Sequence, residues 1–294
     1  MQDGRNIREI RQRIRLLQEL PPLPVMAQKI LSLSNDDTDI KELADTIEKD
    51  PCLSARLLGL ANAAYFGWPG GVRTMYDAIY KVLGLKMVKS LAIGLILGGT
   101  FRADKCKNFS IQQYWFTAVA TALMTQNLLP HISSEFRNNL DNIYLDGLLH
   151  NLGLPVLVHL FPLEMEQVFS LAGARSDRPV NECAKEVLAI DTCQAGGWLA
   201  RKWHLPDDIV CVIDHHKNCG YRNDFWPIVL LVGYCARSAK ALFFGTRSGQ
   251  EPEIPALLGI CEEAAESQRR KAIRDIEGIS EMAALLSGNG PGNG

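Results

Sequence analysis

The chain has 294 residues, 47% hydrophobic and 22% charged, with a formal net charge of −2. This is an ordinary globular composition with apolar residues enough for a sizeable core, which argues against wholesale disorder. The near-neutral balance gives no global attraction to nucleic acid or anionic lipid, so neither is expected as a partner.

Residues 1–15 are polar and arginine-rich, with no apolar signal core. Arg5, Arg8, Arg11, Arg13 and Arg15 are interleaved with Asp3 and Glu9 and read as a solvated lead-in face. After the breaker Pro21-Pro22-Leu23-Pro24, Ile40, Leu43, Ala44 and Ile47 recur at i, i+3, i+4 and i+7, the stripe of an amphipathic helix. Asp39 and Glu42 open that helix in capping-box order. Asp50 followed by Pro51 predicts the start of the next, because proline's missing N–H costs nothing in a first turn. Thr74 with Asp77 caps a helix through Ala78, Ile79 and Val82 that stops at Gly84. The longest apolar run, 91–99, is about half of what a membrane span needs, and no membrane association is expected.

Ser110 with Gln113 opens a long helix to about Leu129. Further helices are predicted at 140–152, 163–174, 180–189, 192–203, 206–216, 226–244, 254–266 and 269–286. The stretch 155–161 has a β-like composition and reads equally as a short helix or an extended connection. No strand pattern of useful length occurs. The breaker-rich segment 248–255 precedes the last helices, and glycine-rich 288–294 is expected to be a disordered tail.

Eight cysteines form no Cys-x-x-Cys pair, which argues against zinc-ribbon and thioredoxin-type chemistry and fits reduced thiols in a cytoplasmic protein. No phosphate-binding glycine loop and no Gly-x-Ser-x-Gly elbow occurs. The chemical signal lies in the histidines. His150-Asn151 sits at the end of an apolar helix, and His215-His216 ends another directly after Asp214. Histidines on two helices beside an acid are how a helical bundle builds a hydrolytic metal centre. Such a centre needs a carboxylate at position 151, where the amide of Asn151 carries no charge; Asp146, one turn before His150, is the nearest substitute. The competing reading is structural, with the histidines bonded to backbone carbonyls at helix ends. His131, His159 and His204 lack partners in sequence and read as surface or core residues, and Cys193 reads as a small buried hydrophobe.

Leu20-Pro21-Pro22-Leu23-Pro24, Glu48-Lys49-Asp50-Pro51-Cys52-Leu53, Ala61-Asn62-Ala63-Ala64-Tyr65-Phe66, Leu83-Gly84-Leu85, Gly147 to Gly153, Trp203-His204-Leu205-Pro206 and His215-His216 together resemble the HDOD family in order and spacing. The resemblance implies an all-α, HD-domain-like multi-helix bundle with an N-terminal helical subdomain. It divides the chain into a lead-in at 1–19, the HDOD-like domain at 20–220, C-terminal helices at 221–287 and the tail. It also implies a relative of the HD metal-dependent phosphohydrolases that generally lacks the complete metal set and is associated with bacterial signalling. Carried over by position, the early histidine falls at Phe116 or Thr117, the His-Asp pair at His150-Asn151, a further histidine at Cys193, and the late aspartate at Gly233. His150, Asn151, His215 and His216 are therefore expected to mark a vestigial site with no catalytic residue, resident metal or cofactor. A signalling protein is the expected partner, with a nucleotide as a possible small ligand.

Overall fold

The structure is a computed structural model that describes residues 18–33, 39–137, 140, 142–173, 178–246 and 253–288. The arginine-rich residues 1–17, the linker 247–252 and most of the glycine-rich tail lie outside the described residues. Within them the elements are helical, with no strand.

Side-chain caps set the first helices. α1 (Val25–Ser32) follows the proline run. Asp39 accepts from Lys41 N at the head of α2 (Ile40–Glu48), without a return bond from Glu42. Asp50 accepts from the N–H groups of Cys52 and Leu53 at the head of α3 (Pro51–Ala61). Thr74 caps α4 (Met75–Asp77), which widens into a π-helical turn over Ala78–Leu83. Gly84 ends that turn at a φ of 76°, open to glycine at little steric cost.

α5 (Leu85–Gly98) and α6 (Ile111–Leu128) are buried on most sides, so packing rather than amphipathic propensity holds them. Ser110 caps α6 through Gln113 N. α7 (Ile143–Leu149), α13 (Trp226–Phe244) and α16 (Ile276–Ser287) all pack on α6, which makes it the axis of the bundle. Between them run α8 (Gly153–Leu160), α9 (Pro162–Leu171), α10 (Val180–Leu188), α11 (Thr192–Lys202) and α12 (Asp207–His215). The stretch of β-like composition at 155–161 falls mostly within α8. Its apolar residues are covered from several sides, and Pro155 stands in the first turn, where no backbone donor is lost. The predicted helix 140–152 stops at Leu149, and the chain turns through His150-Asn151-Leu152 before α8.

The last two predicted helices need correction. In place of 254–266 and 269–286 there are three elements, α14 (Glu253–Leu257), α15 (Glu262–Arg274) and α16. Gly259, at a φ of +75°, turns the chain so that Leu258 O accepts from Ser133 N at 3.0 Å. A second break at Asp275 separates α15 from α16. α16 returns to the N-terminal helices. Arg56 donates to the carbonyls of Leu285 (3.1 Å) and Leu286 (2.7 Å), satisfying acceptors that a helix C-terminus leaves open. Glu281 accepts from Ala64 N at 2.9 Å. The proline run is tied down as well, since Trp203 Nε1 donates to Pro21 O and Lys202 Nζ to Leu20 O.

Two stretches, Ile143–Leu160 and Trp226–Phe244, are long and apolar enough to cross a membrane by length and composition alone. In the fold 83% of the first is buried, and it is interrupted by the turn at His150.

Glycines set how closely α7 and α8 approach their neighbours. A Cβ on Gly147 would lie 2.5 Å from Ala122 Cα on α6. A Cβ on Gly153 would lie 1.7 Å from Thr192 O and 2.6 Å from Gly196 N on α11, and one on Gly196 would lie 2.8 Å from Gly153 N. At Gly147 and Gly153 the nearest atoms are backbone, which cannot yield as a flexible side chain does. Gly153→Ala is therefore expected to destabilise the chain by about 3 kcal/mol or more, at the upper end for overpacking a tight site. Gly99→Ala, where the nearest atoms stand 3.6 Å away, serves as the control and should change stability by less than about 1 kcal/mol. Urea denaturation of both variants measures the difference, and equal midpoints would show that the contact is not restrictive.

Candidate functional site

The turn between α7 and α8 delivers His150 to the end of α12. The His150 and His216 rings meet edge to face, with centroids 5.0 Å apart and planes at 86°. Both residues are buried. His150 Nδ1 bonds Gly147 O at 2.7 Å, and His216 Nδ1 bonds Val212 O at 3.0 Å. A carbonyl only accepts, so Nδ1 carries the proton in each ring and Nε2 keeps its lone pair. Burial lowers the His150 imidazole to about 4, with Lys217 adding to the effect against the raising bond from Gly147 O. Burial, then His150 and Lys217, push His216 well below the usual histidine range. Both rings are neutral at pH 7.

His215 does not join them. Adjacent residues on a helix point about 100° apart, and His215 stacks instead on Tyr221, with centroids 4.3 Å apart. Asp214 is held in an ion pair by Arg201. Asp146 lies on α7 one turn before His150, but its electrostatic neighbour is Asp208 at the start of α12. Burial first, and Asp208 second, raise its carboxyl well above the usual range. Asp208 accepts from Asn142 Nδ2 at 3.0 Å and from its neighbour Ile209 N. Asp146 therefore pairs with a second buried acid and offers no charged ligand to the histidines. His159 Nδ1 accepts from Arg102 N, whereas His131 and His204 lie at the surface.

The remaining positions do not form a metal seat. Phe116 is buried against Phe243, and Thr117 Oγ1 donates to the carbonyls of Gln113 and Tyr114 in its own helix. Asn151 Oδ1 is buried without a hydrogen-bond partner. A carboxylate there, with no cation to meet it, would be a stranded charge and costlier than the amide. Cys193 is buried, and burial pushes its thiol up to about 11, so the thiolate that metals prefer is absent at neutral pH. At Gly233 a Cβ would lie 2.1 Å from His216 O, so α13 has no room for an aspartate there unless the backbone moves. Among the described residues, no three histidine, cysteine or acidic side chains converge closely enough to hold a metal ion. The residues do not fit the divalent metal of an HD-type centre.

Lys217 was not anticipated from the sequence. It follows His216 directly, and its Nζ turns back to donate to Thr192 Oγ1 at 2.6 Å and Asn181 Oδ1 at 3.2 Å. The only signal was its place after the histidine pair. Asp191 with Gln194, a reciprocal capping box at the head of α11, also went unread, although Asp-x-x-Gln is a start signal.

A helical body with a histidine pair where two helix ends meet defines the class: an all-α, HD-like domain. The sequence profile of the HDOD domain matches residues 20–219, and the chain belongs to the HDOD family. Among solved structures it is similar to a Marinobacter aquaeolei VT8 protein described as a candidate signal transduction protein. That pair is 25% identical, with a TM-score of 0.80 over 95% of this chain and 66% of the other. An HDOD domain protein of unknown function from Geobacter sulfurreducens is 20% identical, with a TM-score of 0.74 over 94% and 99%. A candidate phosphohydrolase from Shewanella amazonensis SB2B is 23% identical, with a TM-score of 0.73 over 93% and 97%. These last two share the fold. A curated relative from Treponema pallidum (strain Nichols), described as uncharacterized, is 24% identical over 269 residues. The match takes in 90% of this chain, which spans about half the length of that relative.

The neutral histidines set a pH dependence. A histidine whose folded pKa is depressed stabilises the fold above its unfolded pKa, about 6.5, and that stability is lost as pH falls towards the folded value. For His150, with a folded value of about 4, the loss is expected to reach about 3 kcal/mol between pH 6.5 and 4. Melting temperature against pH measures it. A His150→Gln chain, although less stable at pH 7, should show a shallower acid slope, and an unchanged slope would assign the acid sensitivity elsewhere.

Proposed function

We propose that this chain is a non-catalytic signal-transduction module of the bacterial type associated with HDOD domains, working by recognition of a protein partner or a small ligand. The observation that carries this reading is the packing of Gly233 on the His216 carbonyl. It removes the late carboxylate of an HD-type centre and also the space for one. Asn151 in place of a carboxylate, and a histidine pair kept neutral by burial and held in one tautomer by backbone carbonyls, support it. The similarity to the M. aquaeolei protein, described as a candidate for signal transduction, points the same way. Recognition acts by favouring one conformational state over another, which needs differential binding and no chemistry.

A second reading, a divergent metal-dependent phosphohydrolase, is favoured by the retained His150–His216 pair with both Nε2 atoms available. The likeness to the S. amazonensis protein adds the fold alone. With Mn²⁺, Mg²⁺ or Fe²⁺ added, the purified chain is expected to leave generic phosphoesters and cyclic nucleotides intact. Turnover that vanishes in His150→Ala would overturn the non-catalytic proposal. A thermal-shift screen against nucleotides separates two forms of recognition. A ligand that binds only the folded chain raises Tm, by about 2.7 kcal/mol of stabilisation at a hundredfold excess over Kd. A rise without turnover marks a nucleotide sensor, and its absence leaves a protein as the partner.

A further inference from the structure

The strap 99–110 joins α5 to α6 without a helix of its own. Phe101 and Phe109 of the strap share an apolar cavity with Trp115 of α6 and with Leu149, Leu152 and Pro155, which flank His150-Asn151. The strap's charged side chains, Arg102, Asp104, Lys105 and Lys107, are exposed. Two of its backbone donors are held by side chains of the body. Asn108 N donates to Glu166 Oε1 on α9 at 3.0 Å, and Arg102 N donates to His159 Nδ1 on α8 at 3.1 Å. Phe101 meets the edge of the His159 ring, with centroids 6.0 Å apart, and stacks on Trp203.

The tie to His159 depends on one lone pair. An amide N–H only donates, so Nδ1 of His159 is bare and the ring proton sits on Nε2. This is the reverse of His150 and His216, whose Nδ1 atoms donate to carbonyls. A second proton on either of those rings goes to Nε2 and leaves its bond in place. A second proton on His159 goes to Nδ1 itself and sets two donors face to face. Imidazole is the side chain that ordinarily takes up such a proton in mildly acidic solution.

The elements packed against α8 bring few charges that are not already engaged. On α11, Lys202 donates to Leu20 O and Arg201 is paired with Asp214. On α9, Glu166 is taken up by Asn108 N, and Glu164 is half-buried. On the strap, burial first and Glu166 second push the Cys106 thiol up to about 11, so it is neutral. Arg102, Asp104, Lys105 and Lys107 complete the set. Among the described residues no carboxylate bonds the His159 ring, whose partners are the Arg102 amide and the Phe101 ring.

We propose that His159 is a pH-sensitive latch. The neutral ring holds the strap closed by accepting from the Arg102 amide, and protonation at Nδ1 frees the strap and opens the aromatic-lined cavity beside the His150 turn. The latch works alike whether the domain recognises a protein or a small ligand. Turnover by the chain would sink the functional reading and leave the latch standing, and a failed latch leaves the functional reading intact.

The test is amide hydrogen exchange by NMR at about pH 7.5 and about pH 5.5, on either side of ordinary imidazole titration, with rates corrected for the intrinsic effect of pH. In the intact chain the protection of the Arg102 amide is expected to fall about tenfold, the worth of one hydrogen bond. The reference is the Gln113 amide, bonded to the Ser110 hydroxyl, which does not titrate in this range. Fluorescence of added 8-anilinonaphthalene-1-sulfonate is expected to rise as the cavity opens. In His159→Asn the amide oxygen takes the place of Nδ1 without titrating, so protection and dye signal should stay constant. His159→Phe, with no acceptor, should show weak protection and a high dye signal at both pH values. Arg102 protection that does not change with pH in the intact chain overturns the latch. So does a fall in protection, or a rise in dye signal, that persists undiminished in His159→Asn, a chain that retains His150. Should circular dichroism show His159→Asn unfolded, the ¹⁵N resonance of His159 Nδ1 in the intact chain decides. Protonation that shares its midpoint with the loss of Arg102 protection upholds the latch, and a ring that takes up its proton while Arg102 stays protected overturns it.

Discussion

The centre of this molecule depends on the contact between Gly153 and Gly196. Two helices approach there until the backbone of one lies against the carbonyl of Thr192 on the other. No side chain larger than hydrogen is tolerated on either, so the distance between α8 and α11 is fixed by main chain, which does not change rotamer. Gly147 does the same for α7 against α6. The turn carrying His150 and Asn151 lies between these two clamps. It is this fixed turn that presents the His150 ring to His216, and the two backbone acceptors Gly147 O and Val212 O then hold the rings in one tautomer.

That rigidity has an electrostatic side. A buried imidazole without a counter-charge gives up its proton, and an acid without one keeps it. His150, His216 and Asp146 are all driven to their neutral forms, with burial as the leading cause in each. Two polar side chains nearby, Lys217 and Asp214, are each anchored to a named partner.

Much of this was legible in the sequence, and the parts that were not share a physical reason. Asp50-Pro51, Thr74 and Ser110 announced their helices because a cap is a local interaction between residues two or three apart. The apolar spacing gave α2 for the same reason. His150 and His216 were visible as types at spaced positions, but their pairing across α7 and α12 is a tertiary fact. The divergence of His215 from His216 follows from helical geometry alone. What stayed hidden were contacts defined by absence of bulk, such as Gly153 on Thr192 and Gly233 on His216. A glycine inside a helical pattern does not declare which distant backbone it admits. The fold-back of Lys217 onto Asn181 crosses three elements and leaves no local trace. The break at Gly259 was missed because the charged run after Cys261 has the same helical period as the residues before it.

The bond from Arg56 to the carbonyls of Leu285 and Leu286 joins residues some 230 positions apart. Its consequence is temporal. The α3 face that receives α16 stays open until residues 276–287 have left the ribosome, so helices made earlier complete their packing late. Contacts of such long sequence separation slow folding, because the loop must close before the contact can reward it. For the whole of that interval Gly59 and Tyr65, which α16 later covers, belong to an unfinished surface.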